Sequence, residues 1–236
     1  MEGDFMSNDE DWVVISKGAE ATLYKGEFLG LCAIKKVRHP KRYRDPQLDL
    51  KLRVQRTKRE AKLLVMSKNA MVPAPFVYDV DLKECAIIME YIDGVLLRDY
   101  IKELENRDDI KASIELIKRA GEILAMLHEY GIIHGDYTTS NIIVAKNGGL
   151  YVIDFGLGYI YTSSDPEDYA MELRVFSRGL EVFHYEKYDT YMQVFLQGYR
   201  RFLKYEAVID RLKEIFRRGR YVSERRIRRI FRPRRI

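Results

Sequence analysis

The chain contains very little cysteine and histidine. Its two cysteines, Cys32 and Cys85, lie in apolar, strand-like runs, and its four histidines are scattered. Isolated cysteines in such runs are typical of small core residues in a reducing compartment. The pattern excludes a disulfide or a cysteine- and histidine-rich metal cluster, and it predicts that both cysteines are buried.

Long apolar runs are also missing. No stretch approaches the roughly 18 consecutive apolar residues that a membrane-spanning helix needs. The first residues, Met1–Phe5, are acidic and lack the layout of a signal peptide. We therefore expect no membrane segment and a cytoplasmic protein.

Charge, by contrast, is abundant and unevenly distributed. Of 236 residues, 47% are hydrophobic and 33% are charged, which is enough apolar material for one large domain or two small lobes. The net charge is +5, but residues 217–236 contain ten Arg and one Glu, so this tail carries +9 and the remainder −4. A second basic stretch, Lys35–Arg59, contains eleven Lys or Arg against two Asp.

The hydrophobic pattern changes along the chain from strand-like to helical. We expect strands at 12–15, 22–24, 31–37, 76–80 and 86–89, interrupted by a helix over 48–66. Helices are expected at 97–104, at 110–130 and from 165 onward, with strands at 142–145 and 150–153. The sequence thus predicts an α+β chain with a small β-rich first lobe and a reduced, mostly helical second lobe. The predicted boundaries are a flexible N-terminus at 1–10, the first lobe at 11–89, a hinge at 90–94, the second lobe at 95–216 and an arginine-rich tail at 217–236.

Two short polar segments in the helical half carry the strongest chemical signal. The first is His134–Asn141, which contains Asp136 and Asn141, and the second is Ile153–Gly156, which contains Asp154. Phosphoryl transfer needs one carboxylate to orient the attacking hydroxyl, and a carboxamide and a second carboxylate to hold metal ions on the phosphates. Turns rich in Asp, Asn and Gly are the alternative interpretation of either segment alone. Their order and spacing together favour the catalytic interpretation.

With these segments in place, almost the whole chain resembles the protein-kinase fold. The resemblance implies that Asp136 is the catalytic residue and that Asn141 and Asp154 bind Mg²⁺ beside ATP. It also implies an ATP-binding lysine in the run Ala33–Lys36, where Lys35 and Lys36 compete. Spacing from Gly18 and strand alternation with Ile34 favour Lys36.

The same resemblance assigns further residues to ATP. Glu60 is expected to pair with Lys36, and the backbones of Glu90 and Ile92 are expected to contact adenine in the hinge. Ile15, Gly18 and Ala19 are assigned to nucleotide binding, although the glycine-rich loop is reduced here to a single glycine. No Ala-Pro-Glu follows Asp154, so the usual activation segment is missing.

Several strings narrow the resemblance to one branch of this superfamily. They are Gly18–Ala21, Pro40–Arg44, Arg56–Thr57, His134–Asn141, Ile153–Gly158 and Pro166–Asp168. They are similar to the small atypical kinase family of the KEOPS (EKC) complex, which is related to the RIO kinases. The chain departs from that family at Tyr137, where leucine is commoner, and in the length of its arginine-rich tail.

The family resemblance implies a Mg-ATP-dependent serine/threonine kinase and ATPase that supports threonylcarbamoyl-adenosine modification of tRNA. The implied partners are the transferase subunit and a small regulatory subunit of the complex. Two other classes stay open: a small-molecule kinase of the aminoglycoside or sugar type, and a non-catalytic kinase-like scaffold. The small-molecule kinase is less favoured because the chain leaves little room for the insert that would bind such an acceptor. The scaffold is less favoured because the four principal polar residues are all present: Lys36, Asp136, Asn141 and Asp154.

The tail has its own interpretation. Arg225, Arg226, Arg228, Arg229 and Arg232 are expected to contact tRNA phosphates, with Tyr221 and Phe231 available for stacking on bases. A solvated charge run is the alternative.

Overall fold

The structure is a computed structural model that describes residues 12–163, 165–218 and 229–231. Its internal contacts divide the chain into two units. The first comprises residues 12–65 and 75–92, and the second comprises 66–74 and the described residues from 93 onward. The predicted first lobe, 11–89, therefore includes a segment, 66–74, that the structure groups with the second unit.

The first unit is built on a five-stranded antiparallel sheet. Its strands are β1 (Val13–Lys17), β2 (Ala21–Phe28), β3 (Leu31–Arg38), β4 (Val77–Asp81) and β5 (Ala86–Glu90). Their order is β1-β2-β3-β5-β4, so β3 lies at the centre and pairs Lys36 with Leu23 on one side and with Ile87 on the other. A central strand is held on both edges, which gives its side chains fixed positions.

One long helix, α1 (Pro46–Asn69), follows this central strand. Asp45 caps it, since its Oδ1 accepts from the amides of Gln47 and Leu48 at 3.1 and 3.0 Å. Proline at the first helical position suits this start, because its missing N–H is not needed there. At the other end Met71 takes a left-handed conformation (φ 57°), and the amide of Val72 donates to Ser67 O at 2.9 Å, which closes the last turn.

The second unit combines helices with short strand pairs. Its helices are α2 (Leu97–Asn106), α3 (Ile110–Glu129), α4 (Glu167–Phe183), α5 (Tyr188–Tyr199) and α6 (Tyr205–Arg218). Its strands are β6 (Gly94–Leu96), β7 (Ile132–Ile133), β8 (Ile142–Ala145), β9 (Leu150–Val152) and β10 (Tyr159–Ile160). They form one sheet in the order β6-β8-β9 and a separate β7–β10 pair.

The core of this unit lies where α3 and α5 cross. Each helix contributes a glycine to the crossing. A Cβ at Gly121 would lie 2.1 Å from Phe195 O, and one at Gly198 would lie 2.0 Å from Lys118 O. Only glycine therefore lets these two backbones approach so closely. Next to the crossing, Phe176 of α4 stacks on Phe195 with ring centroids 3.8 Å apart.

The α+β fold class with an N-terminal antiparallel sheet and a helical C-terminal part is confirmed. The prediction for Cys32 is wrong: its side chain is exposed, whereas Cys85 is buried. Strand alternation explains this, because the neighbouring Ala33 takes the inward position on β3. The strand β6 was missed, since three residues with one glycine carry almost no periodic signal.

Among the described residues, no helix is long and apolar enough to cross a membrane.

Candidate active site

The first unit buries a lysine–glutamate ion pair. Lys36 Nζ lies 2.7 Å from Glu60 Oε1, and the two side chains are 8% and 1% exposed. Lys36 comes from the central strand β3 and Glu60 from the middle of α1, so two rigid elements fix the pair. A buried carboxylate needs a paired cation because desolvation alone is very costly.

Arg38 is a second cation on the same carboxylate. Its guanidinium donates to Glu60 Oε2, and the Arg38 side chain is 5% exposed. Lys36 and Arg38 stand two residues apart on β3 and so share one face of the strand. Lys35 points to the opposite face and is half-buried. The sequence offered no signal for Arg38 beyond its place in a basic stretch.

The turn between β1 and β2 contains the single glycine of the expected nucleotide loop. The amide of Gly18 donates to Ala21 O at 2.9 Å, and the Lys41 ammonium donates to the carbonyl of Ala19. Glu20 accepts from Arg56 of α1 at 2.7 Å. The turn is therefore tied to α1 through side chains. Ile15, on β1, is 49% exposed.

The expected adenine contacts lie at the end of β5. The amide of Glu90 donates to Phe76 O at 2.8 Å, and its carboxylate accepts from the amide of Phe76 at 3.1 Å. The amide of Glu90 is thus engaged within the sheet. Ile92 has no hydrogen bond of its backbone to any other described residue.

In the second unit, Asn141 clamps Asp136. The Asn141 Nδ2 group donates to Asp136 O and to Asp136 Oδ2, both at 2.8 Å. A short 3₁₀ turn, Thr139–Asn141, places the two residues on the same side of the loop. Desolvation raises the pKa of the Asp136 carboxyl above its usual value, the hydrogen bond from Asn141 partly opposes this, and the charge of Asp154 adds to it.

Asp154 stands beside this clamp because β8 and β9 are paired. Ile142 is opposite Val152, and the amide of Ile153 donates to Asn141 O at 3.0 Å. Asp154 then adopts a left-handed backbone conformation (φ 62°) and accepts from the amide of Gly156 at 3.1 Å. Positive φ in a non-glycine residue is uncommon and is concentrated at functional sites.

His134 connects the two loops. Its Nδ1 accepts from the amide of Asp136 at 3.2 Å, so its Nε2 carries the proton and donates to Ile153 O at 2.9 Å. The side chain is fully buried and its ring packs on Phe155, with centroids 4.6 Å apart. An imidazole with both nitrogens used in this way ties the loop that contains Asp136 to the segment that precedes Asp154.

Gly135 is required where most protein kinases carry arginine. Its φ is +83°, and a Cβ there would lie 2.6 Å from Leu157 O. The chain thus excludes a side chain at this position. Tyr137, the other departure from the family pattern, is fully buried, and its hydroxyl donates to Ala120 O at 2.7 Å. The larger residue is accommodated because its polar atom has a partner.

Glu172 was not identified from the sequence, yet it holds the loop that contains Asp136. Its Oε1 accepts from the amide of Gly135 at 2.6 Å and its Oε2 from the amide of His134 at 3.2 Å. His128 also bonds Glu172 Oε2 through Nε2 at 2.8 Å, and its Nδ1 bonds the Tyr199 hydroxyl at 2.7 Å. A buried glutamate in a helix of ordinary composition has no local sequence signature, so only tertiary structure reveals it.

The donor set in the second unit fits Mg²⁺. Because Asn141 Nδ2 is turned to Asp136, its Oδ1 faces away and makes no hydrogen bond with another described residue. Asp154 supplies a carboxylate from the adjacent segment, whose Ile153 amide donates to Asn141 O at 3.0 Å. Mg²⁺ commonly binds through one or two protein oxygens plus phosphates and water. No three His, Cys, Asp or Glu side chains form a metal cluster in the part of the chain that the structure describes.

Of the predicted RNA-binding residues, Arg225, Arg226, Arg228 and Arg232 lie outside the described residues. Arg229 is 73% exposed at its side chain, and its guanidinium lies 3.6 Å from the carboxylate of Asp189. Phe231 packs edge-on against Phe216, with centroids 6.0 Å apart, and Ile230 is buried. Arg229 thus remains accessible, whereas the ring of Phe231 is already in contact with α6.

An antiparallel sheet with a buried lysine–glutamate pair, together with a helical unit that carries two polar loops, defines the protein-kinase-like class of protein. The family model of the RIO domain matches residues 31–199, so the chain belongs to the RIO domain family.

The relatives are more specific. The chain is 38% identical over 217 residues to the KEOPS complex subunit Bud32 of Pyrococcus abyssi. The aligned region covers 88% of this chain and 96% of that protein. It is 36% identical over 213 residues to the EKC/KEOPS complex subunit Tp53rkb of Mus musculus, at 88% and 86% coverage. The resemblance to the KEOPS kinase family is therefore confirmed.

A longer relative is 40% identical over 211 residues. It is the probable bifunctional tRNA threonylcarbamoyladenosine biosynthesis protein of Methanocaldococcus jannaschii, and the match covers 89% of this chain. The chain spans about 37% of that relative's length.

Proposed function

We propose that the chain is a Mg-ATP-dependent atypical serine/threonine kinase and ATPase that acts in a KEOPS-type complex in tRNA threonylcarbamoyladenosine biosynthesis. The observation that carries the chemistry is the clamp on Asp136. Asn141 donates from its amide nitrogen to the Asp136 carboxylate at 2.8 Å, which leaves its amide oxygen directed away from Asp136. The names of the relatives support the role in tRNA modification.

Each residue has a role that its environment supports. Lys36, held by Glu60, contacts phosphate oxygens of the bound nucleotide. Asn141 and Asp154 hold Mg²⁺, which offsets the charge on the transferred phosphoryl group. Asp136 orients the attacking hydroxyl, of a Ser or Thr side chain or of water, and its raised pKa suits it to accept that proton. Ile92 contacts adenine through its backbone.

The names of the relatives support a place in a multi-subunit KEOPS complex. We propose that the chain works beside a transferase subunit and a small regulatory subunit, and that its basic tail contacts tRNA. The missing activation segment supports slow phosphorylation of ordinary protein substrates, since no peptide-docking platform follows Asp154.

The test follows γ-labelled ATP with Mg²⁺, using the purified chain alone and with unmodified tRNA. We expect label on Ser or Thr residues or in free phosphate, with loss in Asp136→Asn and in Asp154→Ala. Glu115→Ala, an exposed acid on α3, is the matched control and should keep full turnover. Transfer of label to an added aminoglycoside or sugar would instead identify a small-molecule kinase. Stabilisation by nucleotide without any turnover would identify a scaffold.

A further inference from the structure

The loop between β3 and α1 gathers basic groups around a shallow recess. The recess lies entirely in the first unit and is lined by five cationic side chains, with Glu20 as the one acid in its lining. The five are Arg38, Lys41, Arg44, Arg53 and Arg56. Three of them come from α1 or the strand before the loop and two from the loop, so rigid elements and a loop both contribute.

The acids of this cluster are fewer than its cations. Each acid forms ion pairs with two cations. Glu60 pairs with Lys36 and Arg38. Glu20 pairs with Arg56 and Arg38, and Asp49 pairs with Arg53 and Arg44. The five cations that line the recess thus meet three carboxylates, one of which, Glu60, is also paired with Lys36. A fourth acid, Asp45, caps α1, and its negative charge is matched by the positive charge of Arg42 three residues earlier in the chain.

The excess of positive charge lowers the pKa of two of these acids, Asp49 and Glu20. The hydrogen bond from Arg53 lowers the pKa of Asp49 despite its burial. Desolvation acts to raise the pKa of Glu20, but Arg56, Arg38 and Lys41 together lower it. A concave surface with surplus positive charge concentrates anions from solution.

An exposed aromatic ring stands at the edge of this basic recess. Tyr43 is 77% exposed, and the Arg44 guanidinium lies 5.3 Å from its ring centroid. Tyr43 lies between Arg42 and Arg44 in the sequence, so the ring is flanked by cations in one loop. Proteins that bind single-stranded nucleic acid combine cations that follow the phosphates with aromatic rings that stack on bases. A phosphopeptide would bind the cations through its phosphate, but it has no base that could stack on the ring of Tyr43.

We propose that this surface, Lys41–Arg44 with Arg53 and Arg56, binds a single-stranded segment of RNA. The phosphates lie over the recess and one base stacks on Tyr43. The proposal goes beyond the proposed function because these residues have no role in phosphoryl transfer, and because it gives RNA a contact that is independent of the C-terminal tail.

The first test measures binding of the full chain to a fluorescent single-stranded RNA and to unmodified tRNA, without ATP. Tyr43→Ala should weaken binding roughly 5- to 100-fold through loss of one stacked base, whereas Tyr43→Phe keeps the ring and the affinity. Tyr130→Ala is the matched control, since Tyr130 is also exposed but lies in the second unit. Tyr43 is largely in solvent, so its variants should fold normally.

The second test uses the salt dependence. Arg44→Gln should reduce the log–log slope of affinity against salt by about one, whereas Arg44→Lys should keep it. Wild-type affinity in Tyr43→Ala together with an unchanged slope in Arg44→Gln would overturn the proposal. So would displacement of RNA by a phosphoserine peptide with no effect of Tyr43→Ala, which would assign the recess to a peptide. ATP hydrolysis is measured separately without RNA, so the proposed function can fail or hold on its own.

Discussion

At the scale of single residues, the site depends on which lysine of a neighbouring pair faces Glu60. Lys36 and Lys35 are identical in chemistry and differ only in the side of β3 to which they point. The buried ion pair therefore distinguishes them by orientation alone, as alternation along a strand requires.

We expect Lys36→Met to lower kcat/KM for ATP by about 10²- to 10³-fold, the usual loss for one preorganised electrostatic contact. Lys35→Met should stay near wild type. Arg38 still neutralises Glu60 in the Lys36 variant, so the protein should fold, and a thermal melt checks this. Equal losses in both lysine variants would contradict the assignment of Lys36.

The pKa of Asp136 gives a prediction about pH. Its ionised form is stabilised by the hydrogen bond from Asn141, so Asn141→Ala should raise the Asp136 pKa further, measured by NMR titration of labelled aspartate. Because the folded-state pKa is above the unfolded value, the folded state binds this proton more tightly. Stability is therefore lost as pH rises from the unfolded to the folded pKa.

At a pH above the folded-state pKa, Asp136 is ionised and its carboxylate carries the full free-energy cost of desolvation. Asp136→Asn should then raise Tm at neutral pH while abolishing turnover. A Tm that falls at neutral pH, or a pKa that drops in Asn141→Ala, would contradict this account.

At the scale of elements, α4 supports the loop that contains Asp136 through Glu172. Glu172→Ala leaves the amides of His134 and Gly135 and the imidazole of His128 without their acceptor. We expect a loss of about 3 kcal/mol or more in the free energy of unfolding, since each buried orphan donor costs about 1–3 kcal/mol. Chemical denaturation measures this loss, and hydrogen exchange should accelerate at the two amides.

Glu115→Ala, on the exposed side of α3, should change stability by less than about 0.5 kcal/mol. If Glu172→Ala is as mild as this control, the loop is held by other contacts.

The crossing of α3 and α5 is a second element-scale feature. Gly121→Ala introduces a methyl group 2.1 Å from a backbone oxygen, so we expect a destabilisation of about 1–3 kcal/mol from overpacking. Gly179→Ala on α4 is the matched control, because its Cβ would meet Thr138 at an ordinary 3.4 Å. Helix propensity should make that variant neutral or more stable by up to about 1 kcal/mol. Urea unfolding of both variants decides whether the contact or the propensity dominates.

At the scale of the whole molecule, positive charge is concentrated in two places, the tail and the loop before α1. If half of the ten tail arginines neutralise RNA phosphates, affinity for tRNA should fall with salt at a log–log slope of roughly −3 to −5. A tail with less positive charge, in which glutamine replaces Arg225, Arg226 and Arg228, should flatten this slope. An unchanged slope and affinity would show that the tail is only a solvated charge run.

The sequence by itself determined the α+β class of the fold and the family of the chain. It predicted Asp136, Asn141 and Asp154 as site residues because loop residues at fixed spacing form local patterns, and it predicted the strands and long helices because their apolar periods are local too. Three features came only from tertiary structure: the hydrogen bond from Arg38 to Glu60, the support of the Asp136 loop by Glu172, and the exposure of Cys32. The first two join residues far apart in the chain, which no local pattern encodes. For Cys32, strand alternation places it opposite Ala33, but only the packed sheet decides which of the two faces is buried.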